Sequence, residues 1–80
     1  MTAIPRGITA RALIHALHED GFELTRTRES HRIRRRADGR RVVVAYHRLG
    51  DTFPIGTLQA MVSDIGWSDQ DLVRFGLVSN

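Results

Sequence analysis

Eighty residues with 41% apolar and 26% charged side chains form an ordinary globular chain with a small core, and the length leaves room for one domain, 1–80. The absence of cysteine excludes a disulfide framework and any thiolate metal site. No apolar run approaches the roughly 20 residues of a membrane span, and no signal-peptide core opens the chain, so a net charge of +3 belongs to an expected cytoplasmic protein without a membrane or small-molecule cofactor.

After a loose lead-in over 1–7, Thr9 is an N-cap residue, with Ile8 and Leu13 placed as a hydrophobic staple. Ala10, Leu13, Ile14 and Leu17 recur at helical spacing and Gly21 closes the segment. A helix over about 10–20 follows, with Arg11, His15, His18 and Glu19 on its outer face. Phe22 and Leu24 alternate with Glu23 and Thr25, which predicts a short strand. Segments 30–36 and 41–46 read as two more, joined through Ala37-Asp38-Gly39-Arg40, and Asp-Gly between strands is a strong hairpin signal. With Asp38 and Gly39 as a two-residue loop, Ile33 faces Val44, Arg35 faces Val42 and His31 faces Tyr46 on a mostly apolar, helix-facing side. Arg32, Arg34 and Arg36 then oppose Ala45, Val43 and Arg41 on a charged side.

Beyond a loop at 47–53, Pro54 suits the first turn of a second helix, with Ile55, Leu58, Val62 and Ile65 on one stripe and Gly66 at its end. Ser68 and Asp71 have the spacing of a capping box, Trp67 is placed to staple Leu72, and a short third helix covers about 69–75. Helix, three antiparallel strands, helix and a short C-terminal helix make an α+β chain. Two helices on one face of a sheet give a two-layer sandwich of the double-stranded-RNA-binding type.

All 12 basic residues are arginine. Nine lie between positions 26 and 48 against two acids, Glu29 and Asp38, a segment charge of +7; the remainder has three arginines and seven acids, or −4. Such asymmetry points to a polyanion partner, because each guanidinium that meets a phosphate releases a counterion. The plainer alternative is a solvated strand pair.

With four histidines and no tight acidic cluster, imidazole is the natural proton carrier. His15 and His18 have the spacing to share a metal, but no third ligand joins them in the sequence, and an exposed pair with His15 attracted to Glu19 is the simpler reading. Ser30-His31 invites comparison with serine hydrolases. Neighbours in a strand leave opposite faces, however, so that hydroxyl cannot donate to that ring. RNA cleavage needs less equipment. The 2′-hydroxyl is already the nucleophile, one histidine moving a proton is worth roughly 10²–10⁴-fold, and arginines neutralise the developing charge. His31, at a strand start between Arg28 and Arg32 and at the rim of the helix-facing side, is the candidate; a satisfied rim histidine is the alternative.

Five stretches resemble HicA toxins in order and spacing: Gly21-Phe22-Glu23-Leu24, Ser30-His31, Asp38-Gly39-Arg40-Arg41-Val42-Val43-Val44, His47, and Pro54-Ile55-Gly56-Thr57-Leu58. The resemblance covers about residues 8–75. It implies the double-stranded-RNA-binding fold, mRNA interferase activity, and neutralisation by a HicB-type antitoxin protein. It also implies catalysis by His31, which matches the histidine of the family's Gly-Ser-His motif, while His47 matches a histidine found after the third strand. Two departures stand out. Glu29 occupies the motif's glycine position and brings an acid to the phosphate's approach, and Ala45 replaces a proline common before the second histidine.

The combined expectation is the toxin of a type II toxin–antitoxin system, a metal-independent endoribonuclease that cleaves mRNA and needs no cofactor. His31 moves the proton; Arg28, Ser30, Arg32, His47, Arg48 and the helix-start residues Gly56 and Thr57 contact RNA. An acidic antitoxin is expected to meet Arg32, Arg34 and Arg36. Two other classes fit the same pattern. One is a non-catalytic RNA-binding module of this fold, which leaves Ser30-His31 idle. The other is a degenerate interaction protein whose basic strands grip the antitoxin.

Overall fold

The first and third helices begin where a side chain caps their free amides, whereas the second begins after Pro54 without such a cap. The computed structural model describes residues 7–78, so the lead-in expected over 1–7 lies outside the described residues except for Gly7. In chain order the elements are α1 (Ala10–Glu19), β1 (Glu23–Arg28), β2 (His31–Arg35), β3 (Arg41–Ala45), α2 (Ile55–Ile65) and α3 (Asp69–Arg74). The sheet is antiparallel with order β1-β2-β3. This is the expected α+β arrangement.

Thr9 caps α1, its Oγ1 accepting the Ala12 amide at 3.1 Å. The amides of Ala10 and Arg11 donate to the carbonyls of Asp51 (2.8 Å) and Leu49 (2.9 Å), so the chain leaving β3 completes the cap. At the other end Phe22 N–H reaches Leu17 O and Gly21 N–H reaches His18 O, with Gly21 at φ +94°. That pair of bonds is a Schellman closure, which requires a residue at ease with positive φ. Gly66 ends α2 in the left-handed conformation, and Ser68 and Asp71 cap α3 reciprocally.

The core gathers Leu13 and Leu17 of α1, Phe22, Val42 and Val44 of β3, Leu58, Met61 and Ile65 of α2, and Trp67 and Leu72. Met61 takes the place expected for Ile55, which is 39% exposed because the α2 stripe is centred one turn further on. α2 packs against β3, whereas every residue of β1 is exposed. Phe22 is fully buried, yet Leu24, on the same side of the strand, is 50% exposed because no helix covers it.

The β2–β3 register differs from expectation by one residue. His31 pairs with Ala45, Ile33 with Val43 and Arg35 with Arg41, while Arg32 and Arg34 oppose Val44 and Val42. The turn is therefore a three-residue loop, Ala37-Asp38-Gly39. Gly39 N–H bonds Arg36 O, Arg36 N–H bonds Arg40 O, and Gly39 has φ +97°. A two-residue type I′ loop needs positive φ at both centres, and Asp38 does not supply it. Its carboxylate instead accepts the Arg40 amide and the guanidinium groups of Arg36 and Arg40. A one-residue slip exchanges the faces of a strand. His31, Ile33 and Arg35 consequently lie on the open face, and Arg32 and Arg34 on the helix side. On that side Arg32 is bound to the carbonyls of Ser30 and Tyr46, whereas Arg34 Nε is buried without a partner.

At this same loop end a second ion network joins the layers. The Asp20 carboxylate, 8% exposed, accepts Trp67 Nε1–H at 2.9 Å and lies 3.8 Å from Arg36 and 3.9 Å from Arg74. Arg40 also donates to Ile65 O at the end of α2.

Two outcomes follow for stability. Phe22→Ala should cost about 3–5 kcal/mol, and Leu24→Ala should stay within about 0.5 kcal/mol of the parent in urea denaturation; equal losses would contradict an uncovered β1. Hydrogen bonds from Arg40 hold the Asp38 carboxyl at about 2, below its ordinary 3.8. Its contribution is complete above pH 3.8 and is lost as pH falls through the lowered value. Protection factors of the Arg36 and Gly39 amides, which correct for the intrinsic pH dependence of exchange, should fall over that interval, and in Asp38→Ala they should already be low at neutral pH.

Candidate functional site

A tight turn at Glu29-Ser30 joins β1 to β2 and makes His31 the first residue of β2. Glu29 is the one described non-glycine residue with positive φ, +56°. The turn is pinned to the exit of β3. Ser30 O accepts Tyr46 N–H at 3.2 Å and Arg32 Nη1–H at 3.1 Å, and the same Nη1 donates to Tyr46 O at 2.8 Å. The Arg32 guanidinium also lies 3.9 Å from the Tyr46 ring centroid, a cation–π contact.

The His31 backbone is thus held on both sides while its side chain is exposed. On the open face its cross-strand neighbours are Arg28 of β1 and Ala45 of β3. Directly opposed residues have Cβ atoms about 5 Å apart, so the ring stands beside one guanidinium-bearing chain, with free space over the small Ala45. The expected site at the helix-facing rim is corrected: the register turns His31 onto the uncovered side.

The other expected contacts separate into groups. Arg28 shares His31's face, and Ser30 stands beside it in the turn. Arg32 points to the helix side and is bound to the scaffold. His47 and Arg48 follow β3 at the same end of the sheet, where Asp51 Oδ2 accepts both their amides at 3.0 Å. Those two bonds, Arg48's first, lower the Asp51 carboxyl from its ordinary range. Gly56 and Thr57 are exposed in the first turn of α2, in the layer across the sheet from His31. The three arginines expected to meet an antitoxin as a group share the helix side and not the open face: Arg32 and Arg34 oppose Val44 and Val42, and Arg36 lies 3.8 Å from Asp20 at the end of α1 and is paired with Asp38.

Asp51 went unrecognised in the sequence although it orders the loop. Its one local signal is an acceptor side chain just after Gly50, where Asx turns form. His15 binds Glu19 at 2.7 Å, and among the described residues no group of three His, Cys, Asp or Glu side chains converges as a metal site. No described helix is long and apolar enough to cross a membrane.

Residues 10–67 match the model of a family described as HicA toxin of bacterial toxin-antitoxin. Comparison with individually curated proteins gives no match.

Positive φ at Glu29 costs a side-chain-bearing residue about 1–2 kcal/mol, partly offset by the greater chain entropy of glycine. Glu29→Gly should therefore raise the unfolding free energy by up to about 1 kcal/mol. A lower melting temperature in this variant would contradict the strained turn.

Proposed function

The chain belongs to the HicA toxin family of bacterial toxin–antitoxin systems, and from that premise we propose that it is a metal-independent endoribonuclease that cleaves mRNA through His31. The observation that carries this reading is an exposed imidazole on the open face beside Arg28, on a backbone clamped by Ser30, Arg32 and Tyr46. An RNA strand brings its own nucleophile. Its 2′-hydroxyl attacks the adjacent phosphorus and the 5′-oxygen leaves, so one proton must depart and another arrive. His31 carries that proton traffic, and Arg28 neutralises charge on the phosphorane.

Arg48 and His47, on the loop ordered by Asp51, take neighbouring phosphates. The Ser30 hydroxyl and the first-turn residues Gly56 and Thr57 extend the polar contacts around the same end of the sheet. Arg32 serves differently: it holds the turn that presents His31. Membership in a toxin–antitoxin family implies an antitoxin partner. In this reading the partner is a HicB-type protein that covers His31, and the toxin acts in the cytoplasm on mRNA.

His31→Ala should fold with an unchanged melting temperature, bind RNA, and lose cleavage and growth arrest by at least the roughly 10²-fold that a proton-transfer group contributes. Cleavage by the parent should persist in excess EDTA. Undiminished toxicity in His31→Ala, or RNA bound without any cleavage by the antitoxin-free parent, would overturn the assignment.

A further inference from the structure

The open face of the sheet is an ordered array of three rows. Arg28, His31 and Ala45 form the first, Arg26, Ile33 and Val43 the second, and Glu23, Arg35 and Arg41 the third. Four arginines share this face with one acid. Among the described residues none of the four makes an ion pair, whereas Arg36 and Arg40 are paired with Asp38. Arg35 and Arg41 stand directly opposite each other, an arrangement that costs stability unless an anion lies between them. Beside Arg35 a hollow of about 320 Å³ opens between Glu23, Thr25, Arg36 and Ala37, within the usual size range of ligand sites.

We propose that single-stranded RNA lies along this open face, from His31 across Ile33 to the Arg35–Arg41 pair, with Arg26 and Arg28 on its flank. The inference rests on RNA being the substrate and adds where the strand runs. Residues spaced about 3.3 Å along β2 set the track at about 13 Å between His31 and Arg35, a reach of a few nucleotides. Its floor is Ile33, Val43 and Ala45, apolar groups that unstacked base faces contact while guanidinium groups hold the phosphates. A duplex hides its base faces and gains nothing from that floor. An acidic protein segment satisfies the charge equally, but the continuity of the track with His31 favours RNA.

The test uses the full chain carrying His31→Ala, so that RNA is bound and not cut. Binding of one short RNA, single-stranded and as a duplex, is measured against salt concentration. For single strands the slope of log Kobs against log salt changes by about 0.7 per phosphate contact, so Arg35→Ala with Arg41→Ala should shrink it by about 1.4. Separating two opposed cations should leave the melting temperature equal or higher. Arg11→Ala, an exposed arginine on α1, should change neither quantity. An unchanged slope in the double variant overturns the track and leaves the nuclease reading intact. Tighter binding of the duplex, or dependence on Arg11 in place of Arg35 and Arg41, also overturns it, as does unchanged RNA binding with loss of antitoxin affinity. Parent protein that shows the predicted slope but cuts no RNA sinks the nuclease reading and sustains the track.

Discussion

The carboxylate of Asp38 accepts one amide and two guanidinium groups, and the geometry of the site depends on that small cluster. It stabilises a three-residue loop, and loop length decides how β2 meets β3. Strand side chains alternate, so the same loop settles which residues meet the helices and which meet solvent. Val42 and Val44 go to the core, and His31 goes to the uncovered side about five residues away along β2. Organisation at one end of the hairpin thus sets the orientation of the imidazole at the other.

Arginine does three different jobs within one short segment. Arg36 and Arg40 are neutralised by Asp38 and tie the hairpin loop to α1 and α2 through Asp20 and Ile65 O. Arg32 bridges two carbonyls and stacks on Tyr46, and Arg34 runs along the helix side, its Nε buried without a partner. Arg26, Arg28, Arg35 and Arg41 are left to face solvent together. A segment charge of +7 therefore overstates the available field, since roughly half of these cations are spent on scaffold. Planar forks suit the scaffold work, because a guanidinium satisfies two acceptors at once where an ammonium acts as a point charge.

Local signals made much of this architecture legible. Thr9, Gly21, Gly66 and the Ser68–Asp71 pair mark helix ends through bonds made within a few residues, and each stands where its chemistry predicts. Asp38-Gly39 marked a turn but not its length, because that dipeptide serves two- and three-residue hairpins alike. What separates them is tertiary: α2 packs on β3, so Val42 and Val44 take the helix side and Arg34 and Arg32 opposite them follow, although that leaves Arg34 Nε buried without a partner. The nearness of Arg28 to His31 in the chain was legible, but the strand read from Phe22 to Thr25 stopped short of Arg28, so neither the two-residue turn that pairs them nor the face they share was. The bonds from Ala10 and Arg11 to the loop before α2 join positions about 40 residues apart and leave no periodic trace.

β1 combines full exposure with a break in its ladder, the register shifting between Leu24 and Arg26. An outer strand with unpaired amides and carbonyls is a template on which a second molecule can build a continuous sheet. The kink interrupts that template, and guanidinium groups at Arg26 and Arg28 repel the identical strand of another copy. Self-association of two copies through this border is therefore disfavoured.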